Sequence, residues 1–275
     1  MTMITDTLQY ELRERYNPNG STLRRQQLRM FEMLQYIDTV CKNHGIRYWL
    51  CSGTLLGAVR HGGFIPWDDD VDIEMLREDY RKFVKVMATE ALCGKYVLQN
   101  HDTDSNYFAP YGKLRDLHSY IKEENTNDLY YKYKGCYIDV FVLEPSSSFF
   151  LSRLGSAVLG VLLYRTNPVL KYGLLRRIYY ACAYPLVYNI IFPILRLLSK
   201  YGAKGRMRLA LGSFFFKSRD KKDIFPLQAQ KFEGSLFPVP GKYDNYLRKI
   251  YGDYMKLPDL DKLIKHTNNT EIYEY

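Results

Sequence analysis

Five acids crowd into seven positions of this chain, Asp68, Asp69, Asp70, Asp72 and Glu74, and the residues on either side are aromatic and aliphatic rather than polar. Carboxylates packed among apolar side chains repel one another and titrate upward unless a cation sits among them. The fold must therefore bring these acids to a place where a counter-charge reaches them. If residues 70–74 form a strand, Asp70, Asp72 and Glu74 share one face, and the β-branched Val71 and Ile73 take the other, which suits burial. Carboxylate oxygens are hard ligands, suited to Mg²⁺, Mn²⁺ or Ca²⁺ rather than zinc. An EF-hand loop starting at Asp68 is excluded. It requires Gly at its sixth position and Glu at its twelfth, where this chain has Ile73 and Asp79.

Upstream, the apolar run from Tyr48 to Cys51 precedes Ser52, Gly53 and Thr54, and then Leu55-Leu56-Gly57-Ala58-Val59. That order reads as strand, tight turn, helix. The N–H groups at such a helix start form a phosphate cradle, which makes Ser52, Gly53 and Thr54 candidate phosphate-binding residues. Downstream, Asp139 is a lone carboxylate in the apolar run from Cys136 to Leu143. Burying it is costly unless something pairs with it, and a metal shared with Asp70 and Asp72 explains it better than a salt bridge does. Lys113 and Arg115 alternate with Leu114, so both can face one side of a strand and neutralise a diphosphate. Arg60 and His61 precede a Gly-Gly turn that leads into the acids. They are candidates to touch a phosphate, with Arg60 pairing an acid as the alternative. A metal-dependent glycosyltransferase also carries an Asp-x-Asp at a strand end, and that reading stays open.

A Gly-Ser-type turn followed by a strand with two acids, and a third acid on a later strand, resembles the nucleotidyltransferase fold. The block from Arg60 to Ile73, the preceding Cys51-Ser-Gly-Thr-Leu-Leu-Gly57, the strand Tyr137-Ile-Asp-Val-Phe141 and the segment Tyr243 to Pro258 closely resemble the LicD family. Together they cover the chain from about Leu28 to Pro258. The stretch between Gly53 and Asp70 is longer than in a minimal nucleotidyltransferase. Members are bacterial transferases that move phosphocholine from CDP-choline onto cell-surface glycans, and fukutin-type ribitol-phosphate transferases are similar. The resemblance implies an α+β fold with a mixed sheet flanked by helices, and metal-dependent transfer of a phospho-alcohol group from a CDP-alcohol donor to a hydroxyl of a glycan or its lipid-linked precursor. It implies Mg²⁺ or Mn²⁺ at Asp70, Asp72 and Asp139. The alternative keeps the metal and replaces the donor with a nucleotide-sugar.

The rest of the chain sets the surroundings. Residues 1–20 are polar and end in the turn cluster Asn17-Pro-Asn-Gly20. Ser21 is placed to cap a helix in which Leu23, Met30, Leu34, Ile37 and Cys41 recur at helical spacing. Leu76, Tyr80, Phe83, Val84 and Met87 mark a second amphipathic helix, Tyr96 to Gln99 a short strand, and residues after Leu260 a frayed end. From Leu154 to Leu198 there is no acid, and the longest uncharged run, Ile178 to Leu195, has 18 residues. That falls short of the roughly 20 a bilayer span needs. Arg176-Arg177 and Arg196 bracket it, so the expectation is an apolar helix pair lying in an anionic membrane interface. Three segments follow: a catalytic core over 1–150, the apolar insertion over 151–205, and a C-terminal part over 206–275 packing back on the core. The net charge is +9, with no run of five basic residues and no nucleic-acid motif. An anionic membrane and a phosphorylated substrate account for it better than nucleic acid does. Five cysteines stand singly and Met1 to Arg15 has no apolar core. Both point to a reducing, cytoplasmic setting at the inner face of the membrane.

Overall fold

The protein is α+β, and its elements are described here from a computed structural model over residues 5–90, 94–122, 130–165, 173–260 and 269–273. Helix α1 (Asp6–Tyr16) leads to α2 (Thr22–Asn43), and Ser21 caps α2 by accepting from the Arg24 N–H, as its position predicts. Strand β1 (Trp49–Leu50) turns into α3 (Ser52–Arg60); β2 (Asp72–Leu76) runs into α4 (Arg77–Glu90). Then come β3 (Tyr96–Gln99), β4 (Gly112–Asp116), β5 (Ser119–Lys122) and β6 (Tyr137–Pro145). Helix α5 (Phe149–Leu159) extends by a π turn to Tyr164; α6 (Leu174–Pro185) runs through another π turn into α7 (Phe192–Lys200). The chain ends with β7 (Arg206–Leu209), β8 (Arg219–Asp220), the single turn α8 (Lys221–Ile224), the hairpin β9 (Gln228–Phe232) and β10 (Ser235–Val239), α9 (Tyr243–Tyr251) and β11 (Asn269–Ile272).

The main sheet runs β1-β2-β6-β4-β3, with β7 and β8 added beyond β6. Among the described residues, β2 and β6 pair in parallel and the other pairs of this sheet are antiparallel. Along the edge of β6 away from β2, β4 pairs with residues 137–140 and β7 with 143–145. Two strands sharing one edge give the sheet its curl. Its core packs Met30, Met33, Leu34 and Ile37 of α2 and Phe83 and Met87 of α4 against Ile73, Val140 and Leu143, the helical faces whose spacing the sequence shows.

One expectation needs correction and one element was not foreseen. The polar residues before Asn17 build α1, which tertiary contacts hold: Leu12 is buried, and the Tyr16 ring meets Trp67 edge-on at 5.3 Å. The end expected to fray does not do so throughout, because Asn269–Ile272 pairs antiparallel with β5; residues 261–268 lie outside the described part.

The apolar insertion folds as two helices, Phe149–Tyr164 and Leu174–Lys200. Leu159, Leu163, Tyr180, Val187 and Phe192 form a second core around Phe108 and Leu211. Glu144 on β6 ties this pair to the sheet, accepting from Arg196 Nε at 2.7 Å and from Arg77 Nε at 2.6 Å. Burial alone would raise the Glu144 pKa; Arg77 and Arg196 outweigh it and hold the carboxyl below its usual value.

Candidate active site

Parallel pairing of β2 and β6 sets Asp72 opposite Asp139, and antiparallel pairing of β6 and β4 sets Asp139 opposite Lys113. Opposed residues project to the same face of a sheet. The site is thus organised on a row of three charges across three strands: Asp72, Asp139, Lys113. Lys113 Nζ lies 2.7 Å from Asp139 Oδ1 and 3.5 Å from the centre of the Tyr137 ring. The carboxylate of Asp139 thus has a cation of the protein's own beside it.

Ahead of Asp72, one oxygen from each of Asp68, Asp69 and Asp70 comes within 4.8 Å of the others. Strand β2 begins at Asp72, not Asp70, so Asp70 belongs to the approaching loop. Two adjacent glutamines of α2 clamp that loop by its backbone: Gln26 Nε2 donates to Asp69 O at 2.7 Å, and Gln27 Nε2 to Asp68 O at 2.8 Å. Burial, then Asp70 and Asp69, raise the Asp68 pKa well above the carboxylate range, with Arg60 opposing. Burial, then Asp70, Asp139 and Asp68, raise Asp72 in the same way, with Lys113 opposing. Crowded carboxylates with too little positive charge nearby, all offering oxygen, fit a hard divalent cation such as Mg²⁺ or Mn²⁺.

The start of α3 faces the same acids. Ser52 has φ 48°, a left-handed conformation that is uncommon for a residue with a Cβ and recurs at functional turns. The Cys51 side chain makes no capping bond, so the first N–H groups of the helix remain for another acceptor. Gly53 is required by proximity: a Cβ there would lie 2.7 Å from Asp68 Oδ2. Gly53→Ala is therefore expected to leave stability unchanged or slightly raised, since Ala favours helix and the acid side chain can swing away. The displaced carboxylate is expected to lower turnover on the order of 10²-fold, the cost of a misplacement of about 1 Å. Thermal melts paired with initial rates check both halves.

Ser52, Gly53, Asp68, Asp70 and Asp72 line one side of a cleft of about 600 Å³, a size that accommodates a small organic ligand. Lys217 and Arg219 contribute cations to its wall, and Phe141, Phe149, Phe215 and Tyr251 give it an aromatic side. Burial, then Asp72, raise the Tyr251 phenol above its ordinary pKa, so it stays protonated as a donor beside the acids. Asp68 is one of the five crowded acids of the sequence but not of the expected metal set; Lys217 and the two glutamines were not singled out, and a Gln-Gln pair on the buried side of an amphipathic helix was the available signal for the latter.

Four other candidates have partners elsewhere. The Thr54 hydroxyl accepts from the Asp72 N–H at 2.8 Å, so it fixes the acidic strand. Arg60 Nη1 donates to Tyr254 O at 2.8 Å and to Lys256 O at 3.4 Å, anchoring the C-terminal segment. His61 is neutral: burial, then Arg60 and Arg13, push its pKa down to about 3. Its Nε2 accepts from Arg60 Nε at 3.0 Å, leaving Nδ1–H to donate to Gln9 Oε1 at 2.6 Å. A neutral imidazole offers no counter-charge to phosphate. Arg115 shares the Tyr137-facing side of β4 with Lys113, as alternation predicts. It is fully buried, however, and donates to Gln99 Oε1 at 2.8 Å and Gly135 O at 2.9 Å. Glu74, on the same face of β2 as Asp72, is committed to an ion pair with Arg219 at 2.8 Å.

Comparison with known proteins agrees with this architecture. Residues 45–152, from the approach to β1 through β6, match the family described as LicD/FKTN/FKRP, nucleotidyltransferase domain. The chain is 30% identical over 262 residues to the lipopolysaccharide cholinephosphotransferase LicD of Haemophilus influenzae, covering 86% of this chain and 92% of that one. It is 40% identical over 90 residues to the human ribitol 5-phosphate transferase FKRP, 33% of this chain and 17% of that one. It is 38% identical over 60 residues to the mouse ribitol-5-phosphate transferase FKTN, 22% of this chain and 13% of that one. With likeness to the bacterial enzyme running nearly end to end, this chain belongs to the LicD family and is a LicD-like phosphotransferase.

Proposed function

We propose that the protein transfers a phospho-alcohol group, phosphocholine or a close analogue, from a CDP-alcohol to a hydroxyl of a cell-surface glycan or its lipid-linked precursor, with Mg²⁺ or Mn²⁺ as cofactor. The observation that carries this reading is the meeting of Asp68, Asp70 and Asp72 with Ser52 and Gly53 in one cleft, beside Asp139. Asp70, Asp72 and Asp139 are the residues assigned to hold the metal, with Asp68 beside them. When bound, a divalent ion there supplies a counter-charge to diphosphate oxygens and withdraws the negative charge that develops on the departing CMP.

The remaining work falls to the chain. The N–H groups at the start of α3, around Ser52 and Gly53, hold phosphate oxygens. Thr54 keeps Asp72 in place through its backbone. Lys113 places a cation 2.7 Å from Asp139 Oδ1, and Lys217 adds positive charge at the wall of the cleft. The acceptor hydroxyl attacks the phosphorus that carries the alcohol, in line with the P–O bond to CMP; that bond breaks, CMP leaves with its electron pair, and the hydroxyl proton passes to solvent. Asp139, ion-paired with Lys113, is assigned to hold the metal rather than to remove the proton. A lipid-linked acceptor would set the protein at the cytoplasmic face of the cell membrane in peripheral contact with anionic lipid, and no nucleic-acid partner is required.

The test is CMP release from CDP-choline, CDP-ribitol and CDP-glycerol by the full chain, with Mg²⁺, with Mn²⁺ and with a chelator. Metal-dependent CMP release from at least one donor is expected. Inertness toward all three, with turnover of a UDP-sugar instead, would transfer the site to glycosyl chemistry.

A further inference from the structure

The helix Leu174–Lys200 turns two unlike faces. Its inner face is fastened to the body along its length: Arg176 donates to Asn106 Oδ1 at 2.5 Å, Tyr188 to Phe108 O at 2.5 Å, and Arg196 to Glu144 at 2.7 Å. Its outer face carries Leu175, Ile178, Ile190, Ile194, Leu197 and Leu198, each between 53% and 76% exposed. The helix has 27 residues, so this stripe is about 40 Å long. Of the 22 exposed large apolar or aromatic side chains among the described residues, 15 lie between Phe149 and Phe215. Solvated monomers rarely gather so much exposed apolar surface in one region.

A second group of exposed aromatic side chains stands at the cleft. The loop after β7 presents Phe214 and Phe215, 60% and 64% exposed, and Phe215 lines the cleft beside the acids. The loop is tied to the helix pair, since the Ser156 hydroxyl donates to Ser213 O, and Gly212 packs against Leu159 and Phe192. On the other side the Phe215 ring lies 6.2 Å from Phe141 of β6. Phe149, at the start of α5, is half exposed and lines the same cleft.

Charge selects what covers this surface. Residues 145–219 hold 12 lysines and arginines and no aspartate or glutamate. A second copy would bring an identical cationic array against the first, whereas anionic phospholipid neutralises it. The inner-face bonds of Arg176 and Arg196 keep the helix on the body, so it lies along a membrane rather than crossing one.

We propose that the outer stripe of Leu174–Lys200, with Phe149, Phe150, Phe214 and Phe215, docks into the interface of an anionic phospholipid bilayer and holds the mouth of the cleft at the lipid surface. The purpose of docking, delivery of a lipid-anchored acceptor, rests on the transfer reading; the docking itself does not.

The experiment is co-sedimentation of the full chain with vesicles of phosphatidylcholine alone and of phosphatidylcholine mixed with phosphatidylglycerol. Ile194→Glu/Leu197→Glu is compared with the parent, because both side chains point outward and their replacement leaves the core intact. The parent is expected to sediment with the mixed vesicles and much less with the neutral ones, and the double variant to lose at least about 10-fold in binding. CMP release with a water-soluble acceptor should be equal in the two proteins. Equal sedimentation of parent and variant, or of the parent with and without vesicles, overturns the proposal. So does a dimer in light scattering that the variant dissolves without any vesicle binding. Failure of CMP release in both proteins, with vesicle binding intact, would remove the transfer reading and leave the docking in place.

Discussion

Asp72→Asn is expected to lower metal-dependent CMP release by well over 100-fold while the protein stays folded. Changes to groups that only orient a metal ligand typically cost about 10–100-fold, and Asp72 is placed closer to the chemistry than that. It is buried, it lines the cleft, and it lies between the Asp68–Asp70 loop and Asp139 in the strand register. Replacing its charge also removes a repulsion, because Asp70, Asp139 and Asp68 all disfavour its ionised form. The backbone bond from its N–H to Thr54 is untouched. The melting temperature of the metal-free protein should therefore stay within a few degrees or rise, and the rise on adding Mg²⁺ should shrink. Thermal melts with and without metal, beside CMP release, separate this from simple unfolding. A folded Asp72→Asn protein with parental turnover would refute the assignment of this site.

The acids of the candidate site were legible because they break a local rule: carboxylates do not ordinarily occur in β-branched, apolar runs, so Asp72 and Asp139 stood out one strand at a time. Their adjacency depends on β2 and β6 pairing in parallel across more than sixty residues, which the nucleotidyltransferase resemblance implied and spacing alone did not fix. The cations were harder to read. Lys113, Arg115, Arg60 and His61 are equally plausible phosphate contacts in a string of letters. Three of the four are consumed by acceptors far along the chain: Gly135 O for Arg115, Tyr254 O for Arg60, and the Gln9 amide for His61. Nothing local marks a backbone carbonyl as a future partner. Helix α1 escaped notice for the same reason. Its apolar content is low, and its support comes from contacts such as Arg13 with Glu233 at 3.4 Å. The apolar insertion, by contrast, was readable at once from its lack of acids, because composition over dozens of residues does not depend on who pairs with whom.

Arg219→Met is expected to cost about 3–5 kcal/mol of stability, the usual result of removing one partner from a buried ion pair. Glu74 is fully buried, with Arg219 Nη2 at 2.8 Å from Oε1. Trp49 Nε1 at 3.0 Å and the Tyr246 hydroxyl at 2.9 Å both donate to Oε2. Burial alone would lower the Arg219 pKa; Glu74 and Tyr246 outweigh it and keep the guanidinium charged. Without Arg219, the carboxylate keeps two neutral donors and loses its only opposite charge among these contacts. Glu74→Gln/Arg219→Met retains an acceptor for Trp49 and Tyr246 and leaves no buried charge. It should lie well above the sum of the single changes, with a coupling of about 1–3 kcal/mol. Denaturant unfolding of the parent, both single variants and the double variant measures the cycle. A single Arg219→Met protein within about 1 kcal/mol of the parent, the worth of an exposed pair, would show that the interaction is solvated rather than buried. The pair matters to the site as well as to stability, because it joins β1, β2, β8 and α9 directly behind the cleft. The double variant is accordingly expected to fold but to bind donor more weakly, with Arg219 gone from the cleft wall and Tyr251 at the end of α9 less firmly placed.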